Sequence, residues 1–140
     1  MPAKERQRTI QAGRFTKTNG SVRQTAVTAT ADGLTTGLIP KFAGHVLATA
    51  GGDADAIVTL PTAAAADVGE VISLYIGATG CEVRTPATSG ATINTVDSDG
   101  TNELAIAATS LIFFMIIAAD TWMAWGWGDD GTALAALTPD

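Results

Sequence analysis

The chain has one cysteine, one histidine and few charged residues, and each shortage removes a class of function. Cys81 has no second Cys to pair with and no Cys or His close by, so neither an internal disulfide, a redox pair nor a zinc site is supported. It reads as a buried, inert thiol that packs as a small hydrophobe. A nucleophilic triad needs a base beside its nucleophile, and His45, in a strand-like stretch between Gly44 and Val46, reads as a packed or edge-strand side chain. No apolar run reaches the roughly 18 residues of a membrane-spanning helix. Residues 1–20 start charged with no apolar segment behind, so no secretory signal is expected and the product is made in a cytoplasm.

Other chemical signatures are equally thin. Gly51-Gly52 and Gly126-x-Gly128 lack the strand-to-helix context of a phosphate loop, and no Lys follows them. Asp97-x-Asp99-Gly100-x-Asn102-Glu103 sets oxygens at alternating positions, as a calcium loop does. It lacks a third ligand before the Gly and a bidentate acid after it, so it reads as an Asp/Gly turn. Asp53/Asp55 and Asp129/Asp130 read the same way, and no carboxylate pair for glycoside cleavage is evident. The expectation is a protein that is not an enzyme and carries no cofactor or metal.

What is present is a sharp division of charge. Residues 1–24 carry Lys4, Arg6, Arg8, Arg14, Lys17 and Arg23 against Glu5, a net +5; residues 25–140 carry Lys41 and Arg84 against thirteen acids, a net −11. A basic leader on an acidic body reads as an extended arm that leaves the domain to bind something negative. Fully extended, it reaches about 80 Å, far enough to lie across a neighbouring protein. The body would repel a phosphate backbone, which favours a protein partner over nucleic acid.

Beyond the leader, short apolar runs rich in β-branched residues alternate with Gly, Asp and Pro breaks. Strands are expected within 22–30, 45–50, 56–60, 71–76, 81–84, 91–95, 103–107, 109–119 and 121–126. Gly51-Gly-Asp-Ala-Asp55 is expected to make a hairpin of the second and third. Ala63–Ala66 is too short for more than a turn or brief helix. Such spacing, with no long helix, indicates an all-β fold: an antiparallel β-sandwich, jelly-roll-like, over 25–127, with 1–24 as the arm and 128–140 as a C-terminal tail.

The last long run holds nine consecutive apolar residues, 111–119 (LIFFMIIAA). As a helix it covers only about two and a half turns; as a strand it spans roughly 30 Å with two greasy faces. One face, Leu111, Phe113, Met115 and Ile117, fills a core. The other, Ile112, Phe114 and Ile116, then needs an apolar partner, most simply another copy of the chain. Trp122, Trp125 and Trp127 continue the alternation and are assigned to core or subunit interface, with Trp122 placed in the interface. On loops they would instead stack on a sugar.

Four segments, taken in order, carry a resemblance: residues 55–61 (DAIVTLP), residues 69–75 (GEVISLY), Pro86-x-x-x-Gly90-Ala91-Thr92-Ile93-Asn94, and Ala119-Asp120-Thr121-Trp122. Together they resemble a β-sandwich module of bacteriophage structural proteins, found in tail fibres and spikes and in capsid decoration, or cement, proteins. The likeness covers about half the chain. It implies trimeric or higher assembly and a structural or adhesive role, with no catalytic or metal residues to transfer. A short chain with a basic arm looks more like a decoration protein clamped onto a shell than a fibre subunit with a repetitive shaft.

The expectation is therefore a homotrimeric capsid decoration protein on the outer surface of the virion. Arg6, Arg8, Arg14, Lys17 and Arg23 would attach to the major capsid protein, and Ile112, Phe114, Ile116 and Trp122 would form the subunit interface, without nucleic acid or membrane as partner. The alternative is a tail-fibre or spike tip that binds a host surface glycan.

Overall fold

A computed structural model describes residues 24–49, 54–87, 90–98, 102–134 and 137. The arm residues Arg6, Arg8, Arg14, Lys17 and Arg23 lie outside that set, as do Asp53, Asp99 and Gly100. The fold is all-β. Its strands are β1 (Gln24–Thr28), β2 (His45–Thr49), β3 (Ile57–Thr59), β4 (Val71–Ile76), β5 (Cys81–Arg84), β6 (Thr92–Ile93), β7 (Val96–Asp97), β8 (Leu104–Ile106), β9 (Leu111–Ala118) and β10 (Thr121–Trp127). The alanine run yields one turn of 3-10 helix, Ala65–Asp67.

The strands form a seven-stranded sheet, β1-β2-β4-β9-β10-β6-β7, and a three-stranded sheet, β3-β5-β8. Half of the eight pairings are parallel: β1 with β2, β2 with β4, β3 with β5, and β6 with β10. The antiparallel expectation is corrected accordingly. From β2 to β5 the chain crosses between the sheets at every step and returns one strand further along, the winding of a short β-solenoid. A parallel neighbour requires such a crossover, and here the other sheet supplies it. The expected hairpin of residues 45–50 and 56–60 is corrected for the same reason, because β2 and β3 lie in different sheets.

The 30–39 segment closes the free edge of β3, through a bridge of Thr30 to Ile57 and another of Leu38 to Thr59. Thr59 Oγ1 donates to the Gly33 carbonyl at 2.6 Å. A Cβ on Gly33 would meet Ile57 Cγ2 and Thr59 Oγ1 at 2.7 Å, and φ there is +59°, so only glycine lets this segment lie so close.

Both sheets send side chains into one continuous core. The large sheet contributes Val46, Ile72, Leu74, Ile112, Phe114, Ile116 and Trp122, and the small sheet Val58, Cys81, Val83, Leu104 and Ile106. This corrects the subunit-interface assignment. Ile112 and Phe114 are 0% exposed, Trp122 1% and Ile116 3%, all within a single chain. The deciding influence is β4, which is aliphatic at Ile72, Leu74 and Ile76 and mixed at Val71, Ser73 and Tyr75. Pairing of Ile72 with Phe114 and of Leu74 with Ile112 turns the even-numbered face of β9 inward.

Asn94 ties the far end together. In a left-handed conformation (φ 49°) that Asn tolerates, its side chain donates to the carbonyls of Ala124 (3.0 Å) and Leu137 (2.6 Å) and accepts from the Ala124 N–H (2.8 Å). It thereby joins β6, β10 and the tail.

Candidate assembly face

With the even-numbered residues inside, the odd-numbered residues of β9 and β10 face out. Strand register arranges them in rows. His45, Ser73, Phe113 and Trp125 form one row; Leu47, Tyr75, Leu111 and Trp127 form the next; Val71, Met115 and Met123 form a third. Ile117 stands beyond them. Val71 and Trp127 are 40% exposed, Ile117 41% and Met123 43%, while Leu111, Phe113, Met115 and Trp125 are half-buried by one another.

The rings are ordered against each other. Phe113 stacks on Trp125 with centroids 5.7 Å apart and planes at 14°, and meets Trp127 edge-on at 6.1 Å and 81°. Each such contact adds about 0.5–1.5 kcal/mol beyond burial, so the platform is held rigid before anything docks on it. Toward β1 the face turns polar. His45 Nδ1 lies 2.8 Å from Ser73 Oγ, which donates to the Gly44 carbonyl, and Gln24 Nε2 lies 3.5 Å from His45 Nε2.

No outward residue of β4, β9 or β10 is an acid or a base, although the body as a whole is strongly acidic. Depletion of charge with enrichment in aromatics and Met is the composition of an interface centre, where a desolvated charge would be costly. The leader enters the described fold at Gln24, on the sheet edge at the polar side of this face.

The other candidates are placed as follows. His45 belongs to the polar strip just described. Trp122 points into the core, apart from the outward Trp125 and Trp127. Cys81 is buried in β5, where burial first, and the charge of Glu82 second, push its thiol from the ordinary 9.0 up to about 12. The unfolded chain then ionises Cys81 from about pH 9 and the folded chain only near pH 12, so this residue's contribution to stability is complete below pH 9 and lost as pH rises toward 12. The expected result is a decline in unfolding free energy over that window that becomes shallower in Cys81→Ala, measured by denaturant titration at stepped pH.

Among the described residues, no three His, Cys, Asp or Glu side chains gather as metal ligands, and no helix is long and apolar enough to cross a membrane. Val71 and Tyr75 belong to the face yet escape sequence reasoning, because only register sets them opposite Met115 and Leu111. No family model, curated protein or solved structure matches this chain.

Proposed function

We propose that this chain is a bacteriophage capsid decoration protein, a homotrimer on the outer surface of the virion that binds the major capsid protein through its basic leader. In this reading the two sheets are the layers of a jelly-roll-like sandwich, wound in part as a solenoid. The observation that carries it is the uncharged aromatic and Met-rich platform on an otherwise acidic body. Burying three or four of those side chains per subunit, at about 1.5–3 kcal/mol each, is enough to hold a trimer without any unusual interaction.

The leader supports the second half of the reading. Its net +5 suits carboxylates exposed on a protein shell, and the −11 of the body disfavours packaged nucleic acid as the partner. A trimer that binds the expanded shell and not its precursor stabilises the former by linkage. The order of the four strand-and-turn segments, resembling phage β-sandwich modules, supplies the virion context. The outward position of Trp125 and Trp127 favours one second reading, an adhesin tip that stacks a host glycan on the same platform.

Deleting residues 1–20 separates the two. The truncated chain is expected to stay trimeric in sedimentation equilibrium but to stop co-sedimenting with expanded shells. Undiminished shell binding by the truncated chain, or glycan binding by both forms without any shell binding, overturns the proposal.

A further inference from the structure

Residues 40–43 make a turn closed by the Ala43 N–H on the Pro40 carbonyl at 3.1 Å, and its third position, Phe42, sits at φ 61°. Gly or Asn ordinarily fills that position, because a left-handed backbone crowds a bulky side chain. The ring gains little from the core in exchange for this strain. At 63% it is the most exposed large apolar side chain among the described residues.

Lys41 braces the turn. Its Nζ lies 2.7 Å from Oδ2 of Asp67, a buried residue of the 3-10 turn, and 5.2 Å from the centre of the Phe42 ring. The ring is therefore held out in water from a fixed base. Strain and exposure together are unfavourable for a lone chain, whereas a pre-positioned aromatic that becomes buried on association is what an interface anchor requires.

What covers the ring follows from what lies beside it. Phe42 and Val71 line one depression, Val71 pairs with Met115, and Met115 pairs with Met123. Phe42 thus continues the Met-rich end of the assembly face. Val68 is also exposed there, next to Gly69, whose N–H donates to the Ile116 carbonyl at 2.8 Å.

Charge points to the same partner. Lys41 and Arg84 are the cations among the described residues, and Arg84 is buried, so Lys41 stands as an exposed cation on a body of net −11. A ring beside an ammonium suits an apolar surface rimmed by carboxylates, and another copy of this chain offers one. A cyclic trimer joins unlike regions of neighbouring protomers, which a ring projecting from one margin of the face allows.

We infer that Phe42 anchors the contact between copies, leaving water by packing against a second copy of this chain with Lys41 turned toward that copy's acids. The inference rests on the assembly reading and extends it from the flat strand face to a projecting turn.

Phe42→Asn tests it, since Asn removes the ring and tolerates the left-handed backbone. Sedimentation equilibrium of the full chain is expected to show self-association weakened about tenfold or more. Denaturant unfolding, at a dilution where parent and variant are both monomeric, is expected to give a midpoint unchanged or higher. A lower midpoint assigns the ring to the fold and overturns the inference. Undiminished self-association in Phe42→Asn overturns it too, whether or not co-sedimentation with shells is lost; if Phe113→Glu is monomeric in the same experiment, the assembly face survives alone. A parent chain that does not self-associate overturns both.

Discussion

Phe113→Glu is expected to sediment as a folded monomer and the parent chain as the proposed trimer, whereas Phe114→Ala, one residue on, is expected to lose the fold. The two side chains are adjacent in sequence and opposite in fate. Phe114 is 0% exposed and pairs with Ile72 of β4 and Ala124 of β10 in the middle of the large sheet. Truncating it costs about 3–5 kcal/mol, a large part of the 5–15 kcal/mol that holds an ordinary domain together. Phe113 stands on the outer face, where Glu forfeits the contacts with Trp125 and Trp127 but leaves the core filled. Its charge would be desolvated only on association, so the penalty falls on the oligomer. Sedimentation equilibrium and circular-dichroism melts of both variants give the answer. A Phe113→Glu chain that still trimerises, or that unfolds as Phe114→Ala does, removes the assembly face.

Gly126→Ala is expected to destabilise the chain by about 3 kcal/mol through overpacking alone. Gly126 is buried in β10 opposite Ile112, and a Cβ there would meet the Leu111 carbonyl oxygen at 2.4 Å, Ile112 Cδ1 at 2.7 Å and Ile112 Cα at 3.0 Å. Two of those atoms are backbone in the strand next door, so relief requires β9 and β10 to part. Parting them also disturbs the Phe113 contacts, because Trp125 and Trp127 flank Gly126. Gly77→Ala is the control, since the nearest atom to its added Cβ is the Ala48 carbonyl oxygen at an ordinary 3.4 Å. Denaturant unfolding followed by tryptophan fluorescence distinguishes them, and equal stability of the two variants would refute the steric account.

Strand positions were legible because alternation and Gly/Asp breaks are local. The runs at 71–76, 103–107, 109–119 and 121–126 contain β4, β8, β9 and most of β10. Pairing was not legible. As a sequence Gly51-Gly-Asp signals a turn, but the same turn chemistry suits a hairpin and a crossing to another sheet, and β2 and β3 lie in different sheets. The inward face of β9 could not be read from β9, where both parities are apolar, yet β4 carried the answer in Ile72, Leu74 and Ile76.

Among the described strands the β9–β10 pair is last in chain order, yet it sits in the middle of its sheet, between β4 and β6. A ribosome releases both flanking strands well before the pair that joins them, and until β9 has emerged Ile72 and Leu74 lack their cross-strand partners Phe114 and Ile112. The large sheet can therefore close only after β10 has been made, and its contacts, long in sequence, form slowly. A product cut short by a stalled message keeps its greasy strands in water and is left to proteases. Every copy that survives has been read at least through β10, an inspection of the message up to that strand.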